Sequence, residues 1–107
     1  MSCLKEVYET IIYRRDHPVE KTKTHNLFEH GIDKELKNVG EESTETVIAA
    51  KNGDNAETIG EIADLAYHVL VLMAMQNITP EDIEAKLRER HTKSGNLKTF
   101  HTVDKNT

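Results

Sequence analysis

Apolar residues Leu4, Val7, Tyr8, Ile11 and Ile12 recur at spacings of three and four before Pro18 breaks the pattern, which predicts an amphipathic helix from Leu4 to about Asp16. From Val19 to Asn26 the chain is polar and basic, with Thr22, Lys23, Thr24 and His25 and no period, so a loop is expected. A second helix is predicted from near Asp33 to Asn52, with Leu36, Val39, Ser43, Val47 and Ala50 along one stripe and Gly53 as its stop. Asp54 or Asn55 can cap the helix that follows. That third helix, about Asn55 to Gln76, is mixed in its first half, and from Leu65 to Met75 it is apolar on nearly every side apart from His68. Such a helix must be buried all round. One small protomer has few other apolar segments to cover it, so a homodimer is expected. Thr79-Pro80-Glu81-Asp82 combines an N-cap, a proline at the first helical position and an acid at the third, which predicts a fourth helix to about His91. The tail from Lys93 to Thr107 is polar and carries no period. The pattern divides into an all-α domain over residues 1–92 and a polar tail over 93–107 that is either loose or a partner contact.

Composition agrees with an all-α reading. The 107 residues suffice for one domain with a single core, and 36% hydrophobic residues, 31% charged, five glycines, two prolines and no tryptophan favour helices over a turn-rich sheet protein. A net charge of −5 argues against a nucleic-acid or membrane surface. The lone Cys3 cannot form an internal disulfide, and no signal peptide or apolar run long enough to cross a bilayer is expected, so a reducing cytoplasm is the expected location.

The candidate chemistry is acidic. Glu42 and Glu45 lie before Gly53, and Glu61 and Asp64 after it, each pair three residues apart. Residues three apart share a helix face, and a tight turn at Gly53 would return the second pair to the height of the first, so that all four acids face one another. Helix axes 8–10 Å apart leave room between them for one or two hard cations, and bare like charges would repel. A solvated charged face is the ordinary reading of such a stretch. Here, however, the downstream pair opens the apolar helix, and no Lys or Arg stands four residues on to neutralise any of the four. Carboxylate oxygens suit Mg²⁺, with Mn²⁺ as the alternative, and Mg²⁺ commonly takes further ligands from a phosphate. Glu41 is the candidate general base. His68, four residues after Asp64, either orients that carboxylate or is a satisfied core histidine. Cations available to a polyphosphate are Arg14, Arg15, Lys34, Lys37, Arg88 and Arg90, and there is no glycine-rich phosphate loop of the Walker type.

Four stretches, Leu27-Phe28-Glu29-His30-Gly31, Val39-Gly40-Glu41-Glu42-x-x-Glu45, Ala49-Ala50-Lys51-Asn52 and Glu61-x-Ala63-Asp64-Leu65-x-Tyr67-His68, resemble the phosphoribosyl-ATP pyrophosphatase family. This is the histidine-pathway branch of the MazG-like all-α nucleotide pyrophosphatases, and the likeness runs from about Leu4 to His91. The resemblance implies a bundle of four to five helices completed by homodimerisation. It also implies hydrolysis of phosphoribosyl-ATP to phosphoribosyl-AMP and pyrophosphate, with Mg²⁺ on Glu42, Glu45, Glu61 and Asp64. The residues expected to bind substrate are Arg14, Thr24, Lys34, Lys37 and Arg90. The chain departs from the family's pattern at Thr22-Lys23-Thr24, where the family usually reads Ser-Tyr-Thr, and at Lys37-Asn38, where a Lys-Lys pair is usual. Glu35 stands where an apolar residue is usual, and Asn26 where many members carry an aromatic or small one. These departures fall in the segment expected to meet substrate. Two other readings therefore stand beside the first: a pyrophosphatase of other nucleoside triphosphates on the same fold, and a non-catalytic helical dimerisation module.

Overall fold

The computed structural model describes residues 2–19 and 22–94. Their regular structure is entirely helical: α1 (Ser2–Asp16), α2 (Lys23–His30), α3 (Ile32–Lys51), α4 (Asn55–Met75) and α5 (Pro80–Ser94). They divide into two compact units, one up to Asn77 and one from Ile78 onward.

In the first unit α4 packs against α1, α2 and α3. From α1 it receives Tyr8 and Ile11, both buried. The end of α1 is tied to the end of α4 by Arg15, whose Nη1 donates to the Ala74 carbonyl at 3.0 Å and to Asn77 Oδ1 at 3.1 Å. These groups border an open cavity of about 520 Å³ that Phe28, Gly31 and Met75 also line.

The loop expected from Val19 to Asn26 is helical from Lys23 onward. Thr22 supplies the missing start signal, because its Oγ1 accepts from the His25 amide at 3.1 Å. Thr24 then turns inward and its Oγ1 lies 2.9 Å from the Tyr67 hydroxyl. An eight-residue helix held by one cap and one tertiary bond has too few turns to show a period. It ends at Gly31, which adopts φ 86°.

The α3–α4 hairpin follows expectation. Gly53 turns the chain at φ 73°, and Asp54 caps α4 by accepting from the Glu57 amide at 3.0 Å. The inward face of α3 differs from the apolar stripe. Glu35 and Ala49 are buried and Val39, Glu42 and Thr46 half-buried, whereas Leu36 and Val47 stay exposed. The apolar half of α4 buries His68, Leu70, Val71, Met73 and Ala74 but leaves Val69 outward, so one chain does not cover it all round. α4 is also long and apolar enough, at a mean hydropathy of 1.4 over its best window, to meet the length and composition of a bilayer span, contrary to expectation. It also carries the acids Glu57, Glu61 and Asp64 and packs on three helices.

The second unit holds α5. Thr79 Oγ1 accepts from the Asp82 amide at 3.1 Å, and Asp82 Oδ2 accepts from the Thr79 amide at 2.9 Å, the reciprocal cap expected from the sequence. The Thr79 amide, and after it the Thr79 hydroxyl, hold the Asp82 carboxyl below its ordinary range. The helix runs on to Ser94, past the expected end near His91, so Lys93 is helical. Residues 95–107, the rest of the expected tail, lie outside the described residues.

Candidate metal centre

Glu42 and Glu45 stand one turn apart on α3, and Glu61 stands on α4, eight residues past Gly53 as Glu45 is eight before it. The hairpin brings these three together, each offering a carboxylate oxygen within 4.8 Å of the others. Glu42 and Glu61 are half-buried, while Glu45 lies exposed at the rim. Asp64, the fourth expected ligand, is exposed and outside the trio. It sits one turn further along α4, and its charge still acts on both Glu45 and Glu61.

The electrostatics are those of crowded acids. The Glu45 carboxyl is held above its ordinary range first by its side-chain bond to Glu61, then by the Glu61 charge, and further by Glu41 and Asp64. Glu61 is raised first by desolvation, then by its contact with Glu42. Two carboxylates bond only through a proton, and Glu42 Oε1 and Glu61 Oε1 are buried without any donor facing them. Among the described residues no Lys or Arg pairs with the trio or with Asp64. Buried oxygens with no donor, crowded like charges and hard ligand atoms together fit a hard divalent cation.

A pH dependence follows from the raised carboxyls. A group whose pKa is raised by folding adds stability at low pH and loses it as pH rises through the folded value. Metal-free protein should therefore lose thermal stability relative to E61Q as pH climbs from about 4.5, the ordinary Glu value, toward neutrality. Saturating Mg²⁺ should remove that difference. Melting curves of both proteins in chelator and in Mg²⁺ check it, and a gap independent of pH would contradict the crowding.

The other expected residues fall in different places. Glu41 is exposed, with Oε2 3.9 Å from Lys37 Nζ. Lys34 is exposed in the first turn of α3, and Arg14 lines a shallow groove on α1 with Glu6, Glu9, Thr10 and Tyr13. Thr24 is buried against Tyr67. Arg90 is exposed on α5, in the second unit. Among the described residues, Lys37 alone of the five expected substrate-binding residues contacts an acid beside the trio, through Glu41.

His68 meets Glu35, not Asp64. Its Nδ1 lies 2.6 Å from Glu35 Oε2, with Glu35 fully buried and His68 6% exposed. Asn38 Nδ2 donates to the other Glu35 oxygen at 3.2 Å. Lys23 Nζ rests 4.8 Å from the centre of the Tyr67 ring. Lys23, Glu35 and Asn38, three departures expected to meet substrate, are thus all engaged around the adjacent Tyr67 and His68 of α4. Reading by motif missed this grouping. The signal was Glu35 standing seven residues before Glu42, on the same helix face.

Comparison with known proteins adds to this geometry. Residues 4–91 match the family model described as phosphoribosyl-ATP pyrophosphohydrolase. The chain is 53% identical over 97 residues to the histidine biosynthesis bifunctional protein HisIE of Lactococcus lactis subsp. lactis, an alignment covering 91% of this chain and 46% of that protein. It is 45% identical over 94 residues to the phosphoribosyl-ATP pyrophosphatase of Streptococcus thermophilus, covering 88% and 90% respectively. Against the phosphoribosyl-ATP pyrophosphatase of Listeria innocua it is 53% identical over 90 residues, covering 84% and 86%. The chain therefore spans less than half the length of the bifunctional relative and most of the other two. With the family model matching most of its length, the chain belongs to the phosphoribosyl-ATP pyrophosphohydrolase family.

Proposed function

We propose that this chain hydrolyses phosphoribosyl-ATP to phosphoribosyl-AMP and pyrophosphate, a step of histidine biosynthesis, with a divalent metal held by Glu42, Glu45 and Glu61 and Asp64 beside them. The observation that carries this reading is the convergence of three carboxylates, two with buried oxygens that face no donor, in a chain of this family. Mg²⁺, or Mn²⁺ in its place, would neutralise that cluster, stabilise charge on the transferring phosphoryl group and acidify a water. Glu41 is exposed beside the trio and takes the proton as the water oxygen bonds to phosphorus. The α–β bridging bond then breaks, and pyrophosphate leaves with the electron pair. Lys37 next to Glu41, with Lys34 and Arg14, supplies cations for the phosphate oxygens, and Thr24 with Tyr67 shapes the nucleotide side of the site.

The substrate is tested by pyrophosphate release from phosphoribosyl-ATP beside ATP and a panel of nucleoside triphosphates. Preference for phosphoribosyl-ATP supports the proposal. Faster release from ordinary triphosphates would reassign the substrate, and silence across the panel would favour a helical dimerisation module.

The same reading includes a homodimer in the cytoplasm, without nucleic-acid or membrane partners. Its support is the exposed apolar surface of the hairpin: Val47 and Ile48 on α3 are 67% and 54% exposed, and Ile59 and Ile62 on α4 are 68% and 50%. The parent protein should run at twice its 12.2 kDa by light scattering, and I59E, which adds a charge to that face, should run as a monomer. A monomeric parent at micromolar concentration would contradict the dimer.

A further inference from the structure

We propose that Glu35 and His68 are positioning residues that set the axial register of α3 against α4, and through it the spacing of the acidic trio. The inference rests on the metal site proposed above.

The two helices run antiparallel through the Gly53 turn. Glu42 and Glu61 meet across them at the trio, and Glu35 and His68 meet across them again, two turns away. Glu35 is seven residues before Glu42 on α3, and His68 is seven residues after Glu61 on α4. Seven residues are roughly 10 Å of rise on either helix, travelled in the same spatial direction. The second crossing is therefore in register with the first, and a slip of α3 along α4 would break both.

The second crossing is built to hold position. Glu35 is fully buried and His68 nearly so, and the bond between them is 2.6 Å long. Asn38 occupies the remaining Glu35 oxygen from one turn along the same helix. A buried carboxylate tolerates no displacement from its donors, because losing them leaves it desolvated and unpaired. Apolar packing in the same place would tolerate sliding, and a buried polar pair is the better-attested device for fixing register. The acids at the trio repel one another until a cation is bound, so the hairpin needs a restraint that does not depend on the metal. Tyr67 and Thr24 hold the adjacent position of α4 to α2, not to α3.

The test is Mn²⁺ affinity, measured by titration on the full chain without substrate. The double variant E35L with H68L replaces the pair by apolar packing and should stay folded by circular dichroism. Its Mn²⁺ affinity should fall about tenfold or more. E35Q keeps an oxygen for the His68 N–H and should stay within about threefold of the parent. Equal affinity in all three proteins would overturn the inference while leaving the metal site standing, whereas a parent that binds no Mn²⁺ would overturn both. A second measurement needs no variant. Saturating the parent with Mg²⁺ should shift the His68 ring nitrogen resonances, since the two crossings are coupled through rigid helices and coupling is reciprocal. Unmoved resonances in a metal-saturated parent would overturn the register role even if the double variant fails to fold.

Discussion

E61Q is expected to lose pyrophosphatase turnover by roughly 10²–10³-fold, as befits the loss of several kcal/mol of charge stabilisation from a metal centre, and yet to melt at a higher temperature than the metal-free parent. The two effects have one cause. Glu61 is the acid that contacts both others in the trio, and its own carboxyl is raised by desolvation and by Glu42. The amide removes a charge that the cation needs and the empty cluster resists. It also supplies N–H donors to the Glu42 oxygen that now faces none. Steady-state kinetics at saturating Mg²⁺ and melting curves in chelator check the two halves. An inactive variant that is also destabilised would point to lost packing and not to a lost ligand.

E41Q should separate base from ligand. A positioned general base contributes roughly 10²–10⁴-fold, so the turnover number should fall by that order with the KM for substrate and the affinity for Mn²⁺ nearly unchanged. Glu41 lies exposed, on the side of α3 that faces Lys37. It acts on the trio only through its charge on Glu45, so removing it does not dismantle the cluster. A variant that loses Mn²⁺ binding along with turnover would make Glu41 a ligand instead.

The parts of this molecule that were readable from sequence are those written in local signals. Gly53 and Asp54 marked the hairpin, Thr79 and Asp82 marked the reciprocal cap of α5, and the symmetric spacing about Gly53 brought three of the four acids together. Helix α2 was hidden because its start depends on one threonine cap and its burial on a tertiary bond to Tyr67. The orientation of α3 was hidden for a different reason. Apolar periodicity finds the face that shuns water, and on α3 Leu36, Val47 and Ala50 of that stripe stay exposed with Val39 and Ser43 only half-buried, whereas the face turned to α4 carries Glu35 and Glu42. A pattern of hydrophobicity does not distinguish a core from an unpartnered surface, and it cannot anticipate a carboxylate buried by choice of partner. His68 illustrates the limit most plainly: its spacing suggested Asp64, one turn away on its own helix, and its partner is Glu35 on the neighbouring one.

Pyrophosphate release is proposed to depend on a divalent metal held by the Glu42–Glu45–Glu61 trio. The most direct test of that dependence is release from phosphoribosyl-ATP by metal-stripped parent protein, first in chelator and then across a Mg²⁺ titration, with E61Q run in parallel. No release is expected in chelator, with recovery that follows Mg²⁺ occupancy in the parent and none in E61Q at the same concentrations. Full turnover in chelator, or equal recovery in E61Q, would contradict it.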